Sequence, residues 1–316
     1  MQEIKRVCVI GAGAIGSLYA GHLGRVVDVV VLTRRQSHAD DLNKNGLRVS
    51  GKTECHTRVT ASVDPASFGP VDLVIIATKA NAVEASAKTM AGHFSGAHVM
   101  TVQNGLGCEE VVARYGKWPV ISAVTFMSGT RHSDTHVEYE LDTATWMGPW
   151  AQASASFPDV KQVAALLVKS GLVAEAFPDL LPAQWSKLIF NSGVNSVAAV
   201  TNLPHVKAFA ERDSPTALGH VLYAMMDEGK RVAAASGVTL HKDPWEMNVR
   251  AVGQGQTGAA DYAHVPSMLD DVRAHRATEI DFITGAVVRA AAKVGVQVPT
   301  SETLYRLVKA LETSWK

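Results

Sequence analysis

The stretch Val7-Cys8-Val9-Ile10-Gly11-Ala12-Gly13-Ala14-Ile15-Gly16 decides the fold of this chain. Its first four residues are apolar and mostly β-branched, which suits a buried strand. Three glycines spaced G-x-G-x-x-G follow, and from Ile15 to Leu23 the apolar residues take helical spacing. A glycine turn between a strand and a helix is the context that gives this motif its meaning. Gly11 permits the tight turn, Gly13 lets a pyrophosphate approach the backbone, and Gly16 lets the helix pack close to the strand. The helix N-terminus then offers N–H groups and partial positive charge to phosphate. The reading is a dinucleotide site contacted by Gly11, Ala12, Gly13, Ala14, Ile15 and Gly16. Its rival is a turn with a structural role only.

Outward from this stretch, Val26 to Leu32 reads as a second strand, continuously apolar except for Asp28. An NAD site usually carries an acid at the end of this strand for the ribose hydroxyls. Here the chain reads Leu32-Thr33-Arg34-Arg35. A guanidinium at that point can grip a 2′-phosphate through charge-assisted hydrogen bonds. The expected cofactor is therefore NADPH/NADP+. Arg34 comes first after the strand and is preferred, with the choice between Arg34 and Arg35 left open. The rival reading is two solvated surface arginines.

The alternation continues. Val71 to Ala77, Val99 to Val102 and Val120 to Phe126 read as strands, Ala82 to Met90 as a helix, and Val137 to Trp146 as a strand after a polar turn from Gly129 to Thr135. Leu47 to Val49 and Thr57 to Thr60 read as a short antiparallel excursion. A helix over 160–169 and a strand from Leu172 to Phe177 close this half. Such an order builds a doubly wound, Rossmann-type sheet. Lys79 and Asn104-Gly105 follow the ends of adjacent parallel strands, where ligands of such sheets bind. An ordinary exposed lysine and a turn asparagine are the rival readings.

The character changes after Pro178. Helical patterns run over 183–199, 214–236, 241–252, 266–293 and 301–312, with almost no strand signal. The expected division is an α/β dinucleotide-binding domain over 1–178 and an all-helical domain over 179–316. The Gly253 to Gly258 stretch reads as a loop and a candidate lid.

Two helical motifs in the second half carry chemistry. In Trp185-Ser186-Lys187 through Asn191 to Asn195, the polar residues Lys187, Asn191 and Asn195 recur at i, i+4 and i+8 on an otherwise apolar helix. Such a stripe needs partners, in a catalytic cleft or in a buried structural network. The second motif runs from Ser267 to Asp281, with Ser267, Asp271 and Glu279 expected on one helical face. Carboxylates on helices are most often simply solvated.

The bulk properties narrow the function classes. The chain has 316 residues, 47% hydrophobic and 19% charged, with Lys+Arg and Asp+Glu both at 30. This composition suits a globular protein of two domains. A net charge of zero argues against nucleic acid as the main partner. Cys8, Cys55 and Cys108 are scattered, without metal-ligand spacing, so no metal site is expected and a reducing cytoplasm is the expected compartment. Cys8 lies in an apolar run and reads as an inert buried thiol. No apolar run reaches the length of about 18 residues that a membrane span needs.

Taken in order, these motifs closely resemble the ketopantoate reductase family, the 2-dehydropantoate 2-reductases, along essentially the whole chain. The family's glycine motif matches Gly11 to Gly16, its strand-end lysine Lys79, and its Asn-Gly loop Asn104-Gly105. Its W-x-K-L-x-x-N-x-x-x-N signature matches Trp185 to Asn195, and its S-M-x-x-D-x-x-x-x-R-x-x-E-I-D signature matches Ser267 to Asp281. The resemblance implies a Rossmann domain, a helical domain and an active site between them. It implies reduction of 2-dehydropantoate to pantoate with NADPH, on the route to coenzyme A. Lys187 would be the general acid and Glu279 its acidic partner. Asn104 would contact cofactor and substrate, Lys79 the cofactor, and Asn191, Asn195 and Ser267 the substrate. Members often carry Pro after the second asparagine, where this chain has Ser196. The alternatives are a reductase of another small 2-keto acid and a non-catalytic dinucleotide sensor. A homodimer is left open.

Overall fold

A computed structural model describes residues 3–214, 217–254 and 264–315. The chain divides into two units. The first runs to Gln103 and from Cys108 to Leu180; the second comprises Asn104–Gly107 and everything from Leu181 onward.

In the first unit the glycine stretch folds as the sequence predicts. Strand β1 (Arg6–Ile10) leads through the glycine turn into helix α1 (Ala14–Leu23). The chain continues through β2 (Asp28–Leu32), α2 (Gln36–Asn45), β3 (Leu47–Gly51), β4 (Cys55–Thr57), β5 (Thr60–Ser62) and β6 (Leu73–Ile76). Next come α3 (Val83–Met90), β7 (His98–Thr101), α4 (Cys108–Ala113), β8 (Val120–Thr125), β9 (Ser128–Ser133) and β10 (His136–Leu141). Strand β11 (Thr145–Pro149), α5 (Phe157–Lys169) and β12 (Ala174–Ala176) complete the unit.

The main sheet has the order β12-β11-β8-β7-β6-β1-β2-β5. Its pairings are parallel except for β8 with β11. From β1 the sheet grows first toward β2 and then, on the other side, toward β6. The carboxyl end of β1 is therefore a topological switch point, where such sheets open a crevice. A second sheet, β4-β3-β10-β9, packs on α1. Buried between layers, α1 has eight consecutive buried residues from Gly16 to Leu23. Strand β6, and β1 after Arg6, are apolar without interruption because both their faces are covered.

Several expectations need correction. The excursion near residue 50 pairs β3 with β4 as expected, but Thr60 belongs to β5, which joins the main sheet beside β2. The stretch Val137 to Trp146 is two strands, β10 and β11. The polar run before it is mostly strand β9, and the turn proper is Asp134-Thr135. Burial pushes the Cys8 thiol up to about 12, in keeping with an inert thiol.

The second unit is helical: α6 (Leu181–Thr201), α7 (Gly219–Ala235), α8 (Pro244–Gln254), α9 (Ser267–Arg273), α10 (Thr284–Val294) and α11 (Pro299–Ser314). Its core is built on α6 through Leu188, Ile189, Val194 and Val197, packed with Leu222, Met226 and Ile283. The helix expected over 266–293 is instead two, α9 and α10. His275 takes φ 51°, and its N–H bonds to the Val272 carbonyl while that of Arg276 bonds to Asp271. This pair of bonds around a left-handed residue is the Schellman termination. Ser267, Asp271 and Glu279 therefore do not share a helical face. Of the stretch expected as a loop, Gly253 and Gln254 close α8, and Gly255 to Gly258 lie outside the described residues. No described helix is long and apolar enough to cross a membrane.

Candidate active site

In the first unit the glycine loop has the shape of a phosphate cradle. Gly11 sits at φ +93°, where an added Cβ would lie 2.6 Å from Thr78 Cγ2. A Cβ on Gly16 would collide with the Gly11 carbonyl oxygen. Both positions therefore demand glycine for the fold itself. Gly13 differs, because a Cβ there would meet no atom within 4 Å. It is the N-cap of α1 and offers no capping side chain. The N-cap of α1 thus supplies no side-chain cap to its first-turn N–H groups, and the cradle fits a dinucleotide pyrophosphate.

The two arginines after β2 part company. Arg35 donates to both oxygens of Asp134, each at 2.7 Å. Arg131 also reaches Asp134, at 2.6 Å, and His38 Nε2 lies 2.9 Å from its carbonyl oxygen. Partial burial works against the Asp134 charge, but the Arg35 hydrogen bond and the fields of His38 and Arg131 hold its carboxyl below the usual range. Arg34 is exposed, and among the described residues no carboxylate lies within ion-pair distance of it. Lys79 is exposed three residues beyond the end of β6 and caps a short 3-10 turn. Behind it Gln103 donates to the carbonyls of Ile76 and Thr78, at 2.6 and 3.0 Å, and fixes the end of β6.

In the second unit the polar stripe of α6 is buried at Lys187, Asn191 and Asn195. Each residue faces a different partner. Burial drives Lys187 down from 10.5 to about 7, while the Glu279 carboxylate pulls in the opposite direction. Asn191 Nδ2 donates to Asn104 Oδ1 at 3.3 Å. Asn195 Oδ1 accepts the backbone N–H of Met268 at 3.3 Å, in the first turn of α9. Pro266, at the cap position, has no side chain able to do this. Ser267 opens that helix and is exposed.

The loop bearing Asn104 is locked onto the same unit. Leu106 N–H bonds to the Phe282 carbonyl at 3.0 Å, and Gly105, at φ +98°, passes so close to that carbonyl that a Cβ would collide with it. Glu279 is itself buried, in the irregular segment between α9 and α10. The α6 helix thus brings together Lys187, Asn191, Asn195, Asn104 and Glu279, with Ser267 beside Asn195. Ser196, in place of the proline frequent in the family, leaves α6 unbroken to Thr201 and bonds Thr284 Oγ1 at 2.7 Å. Missed at the sequence level were Gln103 as an anchor of the β6 end and Asp134 as the partner of Arg35. Asp134 carried no signal, being one acid in a polar run. Gln103 adjoined Asn104, which was the only hint.

The sequence matches two family descriptions: ketopantoate reductase PanE/ApbA over residues 7–152, and ketopantoate reductase PanE/ApbA C terminal over residues 179–312. A 2-dehydropantoate 2-reductase of Halobacterium salinarum is 30% identical over 309 residues, 96% of this chain and 98% of its own. The crystal structure of a PanE/ApbA family ketopantoate reductase from Ralstonia eutropha JMP134 aligns with TM-score 0.84 and 25% identity, covering 98% of this chain and 99% of that one. The fold is also that of D-mandelate dehydrogenase, solved with NADH and anilino(oxo)acetate, at TM-score 0.86 and 22% identity over 98% of this chain and 99% of that one. This chain belongs to the ketopantoate reductase family.

Proposed function

We propose that the protein reduces 2-dehydropantoate to pantoate with NADPH. The observation that carries the reading is Lys187: an amine buried on α6, brought to about 7, beside the carboxylate of Glu279. A lysine buried without a task costs stability. A proton donor poised near neutral pH is what reduction of a ketone requires.

The glycine loop, Gly11 to Gly16, holds the pyrophosphate at the N-terminus of α1, and Arg34 meets the 2′-phosphate. Lys79 and Asn104 orient the nicotinamide half. The bound cofactor supplies the hydride. As negative charge grows on the C2 oxygen of the substrate, Lys187 stabilises it electrostatically and passes it a proton. Glu279 keeps Lys187 protonated and oriented without reacting. Asn191, Asn195 and Ser267 bind the polar groups of the substrate. A non-catalytic sensor would have no use for an amine tuned in this way.

The fold shared with D-mandelate dehydrogenase leaves the preferred side chain of the keto acid to experiment. The test is NADPH consumption over a panel of 2-keto acids. The expected result is the highest kcat/KM with 2-dehydropantoate. A higher value with another 2-keto acid replaces the substrate while keeping the chemistry. No turnover with any member, under conditions where NADPH binds, overturns the reductase reading.

A further inference from the structure

Glu279 sits on a segment with no regular secondary structure. Residues 274–283 lie between α9 and α10. A carboxylate there is only as fixed as the contacts that hold its backbone. Contacts from α11 and from Trp315, which caps it, recur along the segment at every third residue. His275 stacks on Trp315, with ring centroids 5.4 Å apart and planes at 16°. Thr278 donates to Glu312 Oε1 twice, through its backbone N–H at 2.8 Å and its hydroxyl at 2.7 Å. Asp281 accepts the Tyr305 hydroxyl at 2.7 Å and Lys309 Nζ at 3.0 Å. Lys309 also pairs with Glu312 at 2.9 Å, so one ammonium ties the two carboxylates together. The Glu312 side chain is only 13% exposed, where hydrogen bonds are stronger than in open water. The Phe282 carbonyl of the same segment holds the Asn104 loop through Leu106.

We propose that α11 is a positioning element of the candidate active site. Glu312, supported by Tyr305 and Lys309, holds the 278–282 segment so that the Glu279 carboxylate stays beside Lys187. The proposal rests on the reading of Lys187 as proton donor with Glu279 as its support. Glu279 is the charged group whose field Lys187 feels, and it opposes the effect of burial. If the segment loosens, that field weakens while the burial of α6 remains. Lys187 then gives up its proton at lower pH.

The test is the pH profile of kcat for Glu312→Ala, Glu312→Gln and Tyr305→Phe with NADPH and 2-dehydropantoate, alongside melting and NADPH binding. Lys187 must be protonated to act, so kcat falls as pH rises through its pKa. In Glu312→Ala that alkaline limb moves down by about one pH unit, and kcat on the limb drops roughly tenfold. NADPH binding is retained. Glu312→Gln returns the limb close to wild type, because an amide oxygen accepts both Thr278 bonds. Tyr305→Phe moves the limb the same way by less, and decides the matter if Glu312→Ala does not fold. An unmoved limb in the folded variants, or equal shifts for Gln and Ala, overturns the proposal while leaving the role of Lys187 intact. Normal turnover in Lys187→Ala overturns both the proposal and the reading beneath it.

Discussion

Asn191 Nδ2 donates to Asn104 Oδ1 at 3.3 Å, joining the middle of α6 to a loop far away in sequence. The bond fixes which way the Asn104 amide points: its oxygen is engaged by Asn191, which leaves the amide N–H groups to serve a ligand. The two asparagines therefore act as one device. In a double-mutant cycle on kcat/KM, Asn104→Ala and Asn191→Ala should be non-additive, with a coupling of about 0.5–3 kcal/mol. Simple addition of the two losses would show that the bond has no bearing on the reaction.

The geometry separates the arginines after β2. Arg34 is exposed, whereas Arg35 is committed to Asp134. Arg34→Ala should weaken NADPH binding by about 1.5–3 kcal/mol, the scale of a hydrogen bond to a charged group, and barely change NADH binding. Arg35→Ala should act mainly on the turn between β9 and β10, with a small loss of melting temperature. Fluorescence titration of both nucleotides checks this, and equal losses for NADPH and NADH in Arg34→Ala would refute the assignment.

The glycines of the loop divide in the same manner. Gly16→Ala places a methyl against the Gly11 carbonyl and should destabilise the first unit severely. Gly13→Ala meets no protein atom, so the protein should melt near the wild-type temperature yet bind NADPH at least tenfold more weakly, the methyl now occupying the pyrophosphate approach. Calorimetry with nucleotide titration distinguishes the two. Unimpaired binding in Gly13→Ala would remove the pyrophosphate from this loop.

How far the sequence could be read depended on how local the physics was. The strand, turn and helix around Gly11 are specified by neighbours in sequence, and the α6 stripe follows from helical period alone, so both were legible. Helix α2 was not, because only His38, Ala39 and Leu42 are buried on it and no apolar stripe marks it. Strand β9 is exposed from Thr130 to Ser133 and exists because β10 pairs with it. The break at His275 escaped because no glycine or proline announces it. It is stabilised by Glu312 of α11 and by Trp315 just beyond it, which sequence spacing does not reveal. Glu279 was thus found as a residue but misplaced as a helical one.

The same burial that tunes Lys187 should leave a mark on stability. Its pKa falls from 10.5 in the unfolded chain to about 7 in the folded protein. Between these values the unfolded state binds the extra proton, so stability rises with pH across that window as far as this group is concerned. Below about 7 the amine is charged in both states and the full cost of burying it is present, on the order of a few kcal/mol. Lys187→Met removes that term. The stability of the variant relative to wild type should therefore decline as pH rises from 7 toward 10. Urea unfolding at several pH values measures the trend, and a difference independent of pH would show that Lys187 is not perturbed. In activity the variant should lose about 10²–10⁴-fold in kcat while still binding NADPH. Lys187→Arg should not rescue it, because a guanidinium holds its proton too firmly to donate it. A methionine variant that is both pH-flat in stability and active would transfer the proton donor elsewhere, with Lys79 the first position to examine.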